Sequence, residues 1–247
     1  MKRWLKIIFV VIALLMGETA YAQEWDLELE TGGVWLSEND VGIPGDTGTK
    51  FNLLDLTGSG PEVYFRLYGT YQFNPKHRIR LTLAPLEFEG TGRLPKEVHF
   101  QNKTFLAHTD TKATYRFNTY RLTYRWSFYH GDSWNWGLGP TVLIRDAKIQ
   151  LEQGNQKEKK DDLGAVPLLH IFGSYKLSEH SLIIFDLDGA GSTQGRAIDA
   201  ALKLKYNLSS GWSGSVGYRT LEGGADNESV YSFAWLHYLL VSASYRF

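Results

Sequence analysis

The chain of 247 residues contains no cysteine, which excludes disulfide bonds, thiolate metal sites and cysteine nucleophiles. It also lacks an excess of either charge, because 26 basic residues stand against 27 acidic ones, and nucleic acid is therefore not expected as a partner. A third absence is an apolar run of the ~20 residues that a membrane-spanning helix requires. Aromatic residues, in contrast, make up 14% of the chain, which is typical of a β-barrel with aromatic girdles.

The N-terminus has the pattern of a secretory signal peptide. Lys2, Arg3 and Lys6 precede the short apolar run of residues 7–16, and Ala20-Tyr21-Ala22 places small residues at the two positions that a signal peptidase reads. A helical membrane anchor is the alternative, which the shortness of the apolar run disfavours. The sequence predicts a signal peptide over residues 1–22, cleaved after Ala22, and a single domain over residues 23–247.

The C-terminal segment alternates between apolar and polar side chains with the period of two that a β-strand shows. Trp235 and Val241 fall on one parity and Arg246 on the other, and the sequence stops within this pattern. A terminal Phe247 with Tyr245 two positions earlier resembles the closing strand by which outer-membrane barrels are recognised for assembly. That resemblance implies that the two residues form an assembly signal read by the barrel-assembly machinery.

Nine upstream segments show similar patterns, although the one from about Leu163 to Leu177 is apolar on both parities and its register stays open. The connections alternate in length. The short ones are Asn74–Lys76, His130–Ser133, Ser178–Glu179 and Ser209–Ser210, and the long polar ones are Ser37–Ser59, Gly90–Lys112, Gln150–Asp162, Gly189–Gly195 and Glu222–Ser229.

Together these patterns predict an all-β fold, a transmembrane antiparallel up-and-down β-barrel of about ten strands. Short periplasmic turns and long extracellular loops are the known asymmetry of bacterial barrels. Eight or twelve strands remain open. A soluble β-sandwich is the alternative, but its strands usually run only about 5–6 residues, shorter than the segments found here.

Seven charged residues have the parity of the lumen and are expected in the outer half of the barrel. They are Glu62, Arg66, Arg145, Asp186, Asp188, Asp199 and Arg219. Charges of both signs in a narrow lumen must pair, since an unpaired buried charge costs several kcal/mol. We expect a salt-bridged plug, and the same residues are the candidates for solute binding or ion selectivity.

The sequence contains few residues in arrangements that catalysis or metal binding would require. Asp186 and Asp188 could share a proton or activate water, but no histidine is expected on the lumenal face beside them. His237 is expected in the outer girdle, and His99, His108 and His170 show no metal-ligand spacing. The sequence contains neither His-x-Ser nor Gly-x-Ser-x-Gly. No catalytic residue, metal or cofactor is predicted.

Two long connections carry further expectations. Gln150–Asp162 is expected to be a solvated outer loop, with contact to lipopolysaccharide phosphates as a second possibility. In the first loop, the apolar stretch Phe51–Leu56 either folds inward to narrow the lumen or packs on the rim. Phe100, Phe105 and Leu106 are the only candidates for exposed apolar residues at a loop tip, the feature that would favour a docking function.

Several stretches resemble proteobacterial outer-membrane barrel proteins that have no assigned activity. They are Pro85-Leu86, Tyr120–Tyr124, Arg145–Ala147, Arg196–Asp199 and Gly217–Asp226. At a coarser level the chain resembles small barrels of the outer-membrane protein W and X type. The resemblance implies the fold and an outer-membrane location, and it implies no reaction.

The predicted function is a non-enzymatic outer-membrane barrel with a narrow, charge-lined lumen that either maintains the envelope or passes or binds small solutes. Its expected partners are outer-membrane lipids and lipopolysaccharide. One alternative is a rim-located surface hydrolase, of omptin-like or lipid-modifying type. Another is adhesion or ligand docking through the extracellular loops.

Overall fold

The computed structural model describes residues 24–247. In chain order, it contains β1 (Glu24–Gly42), β2 (Phe51–Asn52), the short helix α1 (Leu54–Thr57), β3 (Glu62–Asn74), β4 (His77–Ala84), β5 (Glu87–Arg93), β6 (Val98–Phe100), β7 (Lys103–Phe105), β8 (Asp110–His130), β9 (Trp134–Gln153), β10 (Gln156–Lys176), β11 (Ser181–Ser192), β12 (Gly195–Asn207), β13 (Trp212–Asn227) and β14 (Val230–Arg246). The predicted signal peptide lies outside the described residues. Within 24–247, no helix is long and apolar enough to cross a lipid bilayer.

The long strands form one closed antiparallel barrel. Each pairs with the next along the chain, β4 pairs with β8, and β14 pairs with β1 from Asp26↔Arg246 to Gly42↔Tyr231, which closes the sheet. β4 and β5 pair one after the other with β8 and act as a single interrupted strand, so the barrel has ten strands. The predicted fold is confirmed, and closure leaves none of the unpaired edges that a β-sandwich would have.

The two ends of the barrel differ. At the end that holds both described termini, the four connections are short, and they coincide with the predicted turns. At the other end, the first two connections carry β2 with α1 and the β6–β7 hairpin. The remaining three are two-residue turns, because the paired strands continue through the polar stretches. Gln150–Asp162, expected as a solvated outer loop, is therefore a β-hairpin with ladder pairing from Gln153↔Gln156 onward.

The outward face is apolar over a continuous belt. Its exposed side chains include Leu27, Leu29, Val63, Phe65, Leu67, Leu81, Leu122, Leu138, Val142, Leu169, Leu202, Val216, Leu239 and Val241. Aromatic pairs on neighbouring strands border the belt near the short turns, with ring centroids 4.8 Å apart for Trp25 and Tyr71 and 4.6 Å apart for Trp134 and Tyr175. Soluble monomers rarely expose apolar patches of more than a few hundred Å².

The inward face is divided into three layers along the barrel axis. Because alternate side chains of a strand face the lumen, one strand can contribute to all three, as β13 does with Leu221, Arg219 and Ser215. A hydrophobic core fills the end with the long connections, buried charges occupy the middle, and a polar cavity opens toward the end with the short turns.

Candidate functional site

The middle layer is a network of buried ion pairs, and Asp199 on β12 is its first centre. Its carboxylate lies 2.9 Å from the Arg66 guanidinium, 2.6 Å from Arg121 and 2.5 Å from Arg219. All four side chains are at most 5% exposed. Three arginines from β3, β8 and β13 thus converge on one acid, which links strands from across the barrel.

Glu30 on β1 is the second centre, and it is fully buried. Its carboxylate accepts hydrogen bonds from Tyr64 at 3.1 Å and Tyr68 at 3.2 Å, pairs with Arg219 at 3.2 Å and lies 2.5 Å from the ammonium group of Lys203. Every lone-pair direction of this carboxylate is therefore engaged, which is the condition under which a buried charge is tolerated.

Asp186 and Asp188 on β11 form the third part of the network. Asp186 receives two hydrogen bonds from Arg80, and Asp188 receives one of 2.8 Å from Arg121. His170 Nδ1 lies 2.9 Å from Asp188, and the His170 side chain is 1% exposed. The expectation that no lumenal histidine stands beside these acids was wrong, because β10 pairs with β11 in the register that places His170 opposite Asp188.

The structure brings five of the seven predicted lumenal charges into this network and leaves two outside it. Arg66, Asp186, Asp188, Asp199 and Arg219 belong to it. Glu62 is exposed at the start of β3, and Arg145 pairs with Asp162 on the neighbouring strand. The functional role of all seven stays a prediction. The network itself lies between the hydrophobic core and the polar cavity.

Five further members of the network were absent from the predicted set. Glu30, Arg80, Arg121, Lys203 and His170 complete it. The first four have lumenal parity in the sequence, so the alternation alone could have included them. His170 lies in the segment that is apolar on both parities, and the sequence carries no signal for its direction.

The hydrophobic core covers the network on the side of the long connections. Its members include Leu36, Phe51, Leu53, Leu56, Phe88, Leu94, Val98, Phe100, Phe105, Tyr115, Leu151 and Leu236. Phe88, Phe100 and Phe105 are at most 1% exposed, and burying each such side chain contributes about 1.5–3 kcal/mol. The stretch Phe51–Leu56 therefore folds inward, the first of the two expected arrangements. Phe100 and Phe105 are buried and only Leu106 is exposed, which removes the aromatic loop tip considered for docking.

A polar cavity of about 460 Å³ lies on the opposite side of the network. Seven basic residues and four acidic ones line it, together with hydroxyl and amide side chains such as Ser127, Asn135 and Ser174. The cavity is thus cationic, although the chain as a whole is nearly neutral.

His170, Asp186 and Asp188 present ligand atoms within 4.8 Å of one another, close enough to share a metal ion. Both carboxylates, however, are already hydrogen-bonded to arginines, and a cation placed there would have Arg80 and Arg121 as neighbours. The donor set therefore suits an ion-pair network better than a metal centre.

The remaining predicted residues lie on the outward face or at its edge. His237 forms hydrogen bonds with Tyr218 and, at 2.9 Å, with Ser37, and its ring stacks on Trp35. It therefore lies among the aromatic side chains of the girdle, as predicted. Tyr245 and Phe247 lie at the short-turn end with ring centroids 4.8 Å apart. Nothing in the structure tests their role in assembly.

No protein-family model and no curated protein sequence matches the chain. Among solved structures it is similar to the outer membrane protease OmpT of Escherichia coli, with 9% identity and a TM-score of 0.53 over 91% of this chain and 97% of that one. It also matches the attachment invasion locus protein Ail of Yersinia pestis, with 10% identity and a TM-score of 0.41 over 92% of this chain and 100% of that one. The similarity to OmpT shows the fold of outer-membrane barrels and carries no activity with it.

Proposed function

We propose that the protein is a sealed, non-enzymatic barrel of the bacterial outer membrane that serves the integrity of the envelope and does not conduct solutes across it. The observation that carries this proposal is the continuous hydrophobic core above the ion-pair network. A solute that entered the polar cavity would have to separate buried ion pairs and then displace fully buried aromatic side chains.

The outer-membrane location is supported by the apolar belt and its aromatic border, which match the lipid-facing surface of outer-membrane barrels. Outer-membrane lipids are then the direct partners of residues such as Leu29, Leu122 and Val241. We assign the short-turn end to the periplasm, because bacterial barrels place their short turns there. The polar cavity accordingly faces the periplasm.

A surface hydrolase of omptin-like type is less well supported. The structure does contain an aspartate–histidine pair, Asp188 and His170, but its two side chains are 2% and 1% exposed and lie beneath the hydrophobic core. A substrate approaching from the outside would meet Phe88, Phe100 and Phe105 before it reached this pair.

Single-channel recording of the refolded protein in a planar bilayer tests the proposal. We expect no conductance steps from the wild type. The matched control is a variant in which residues 95–107 are replaced by a short Gly-Ser linker and Arg66 and Arg219 by alanine. It removes part of both closing layers and is expected to conduct.

Folding of both proteins is checked first by their resistance to unfolding in SDS without heating. Stable, single-sized steps from folded wild-type protein would contradict the proposal. Equal silence from the control would show that these two layers are not what closes the lumen.

A further inference from the structure

Two arginines that line the polar cavity belong neither to the ion-pair network nor to the pair that Arg246 forms with Glu24. Arg78 on β4 and Arg125 on β8 are directly opposite each other in the sheet and both line the cavity. Among residues 24–247, no carboxylate oxygen lies within 4.0 Å of either guanidinium, and the Nε atom of each is buried without a hydrogen-bond partner. Like charges at directly opposed positions destabilise a sheet, so this pair is unfavourable in the unliganded barrel.

Arg125 is held in place by neighbours that leave its charge unpaired. It is 9% exposed, and its guanidinium lies 3.8 Å from the centroid of the Phe172 ring on β10. Gly137 on β9 lies between the two strands, and a Cβ atom there would stand 3.0 Å from Arg125 Cγ. The missing side chain at Gly137 thus gives Arg125 the space to cross β9 and reach Phe172.

Most other cations that line the cavity have acidic partners, and Lys205 donates a hydrogen bond of 3.3 Å to the Ser244 hydroxyl. Arg80 pairs with Asp186, Lys203 with Glu28 at 2.8 Å, and Arg219 with Asp199. Acidic groups also line the cavity at Glu24, Asp26 and Glu28 without coming within pairing distance of Arg78 or Arg125.

We propose that Arg78 and Arg125 form a binding site for a phosphate group that enters from the periplasmic side. Two guanidinium groups supply the fixed fork of donors that matches phosphate oxygens, and their joint charge balances that of a phosphate monoester. A cavity of about 460 Å³ has room for a small phosphorylated molecule as well as for inorganic phosphate. The site goes beyond the proposed function and does not depend on whether the lumen is sealed.

The test is calorimetric titration of the refolded protein, in a maltoside detergent without phosphate, with inorganic phosphate and with glycerol 3-phosphate. We expect saturable binding by the wild type, and at least a tenfold loss of affinity in Arg78→Met and in Arg125→Met. Lys176→Gln, which removes an exposed cation at the same end of the barrel, should bind as the wild type does. A parallel titration with dihexanoyl phosphatidylglycerol distinguishes a lipid headgroup from a soluble phosphate as the source of the group.

Thermal unfolding without phosphate separates binding from a structural role. If Arg125 serves to bind a ligand, replacing it with methionine removes its repulsion with Arg78. The Arg125→Met protein then unfolds at the wild-type temperature or above it. Added phosphate should then raise the unfolding temperature of the wild type only. The proposal is overturned if the wild type shows no saturable binding up to millimolar phosphate, if both methionine variants keep wild-type affinity, or if Arg125→Met is destabilised without phosphate.

Discussion

The most demanding prediction concerns Asp199, because three arginines depend on its charge. Replacing it with asparagine keeps the volume and removes the negative charge that lies 2.9, 2.6 and 2.5 Å from Arg66, Arg121 and Arg219. Removing one partner of a buried ion pair costs about 3–5 kcal/mol, because it leaves an uncompensated buried charge. With three buried cations affected, we expect Asp199→Asn to lower the free energy of unfolding by about 5 kcal/mol, the upper end of that range.

The assay is urea unfolding of the protein in lipid vesicles, followed by tryptophan fluorescence. Asp226→Asn is the matched control, since it removes an exposed acid near the tip of the next strand and should change the free energy of unfolding by less than about 0.5 kcal/mol. A second variant, Asp199→Asn with Arg219→Gln, removes one stranded cation and should recover part of the loss. A loss of less than about 1 kcal/mol for Asp199→Asn would contradict this prediction, because a buried charge network cannot then be what stabilises the middle of the barrel.

Three further outcomes are expected. Phe100→Ala should lower the free energy of unfolding by about 3–5 kcal/mol, measured by the same urea titration, because its side chain is fully buried in the hydrophobic core. Gly137→Val should leave the protein folded, as judged by circular dichroism, but weaken phosphate binding in calorimetry, because the new side chain displaces Arg125. Deletion of Phe247 should lower the amount of folded barrel in the outer membrane, measured on unheated gels, with Lys176→Gln as an unaffected control.

The architecture of the barrel was accessible from the sequence because lipid and lumen impose an alternation along most of its strands. Short turns such as Asn74–Lys76 were readable for the same reason, since they interrupt that alternation. The outer hairpins could not be recognised in this way from the sequence. Apart from Leu151, which is buried in the hydrophobic core, the stretch Gln150–Asp162 has polar side chains or glycine on both faces, and a paired strand of that kind has the same composition as an irregular loop. Its strand character comes from cross-strand pairing, for example of Lys157 with Glu152 at 2.8 Å.

The candidate site was only partly predictable, for two physical reasons. Parity tells which side chains enter the lumen, and it assigned Asp199 and Arg219 correctly to that face. It does not give their height, which depends on where each strand begins and ends. Parity also fails where both faces of a strand are apolar, as around His170, whose direction is set by the register of β10 against its neighbours.

The outer hairpin formed by β9 and β10 has a practical consequence. These strands contain 20 and 21 residues, whereas about 9–11 suffice to cross a bilayer, so roughly ten residues of each are left over. At about 3.3 Å per residue, the surplus makes an extension of the barrel wall some 30 Å long, in which β8 supports β9 as far as the pair Lys112↔Glu152. Its tip is the exposed pair Gly154-Asn155. With the short-turn end in the periplasm, as proposed above, a peptide inserted there would be presented to antibodies outside the cell while the ladder below it stays intact, which makes this turn a natural place for an epitope tag.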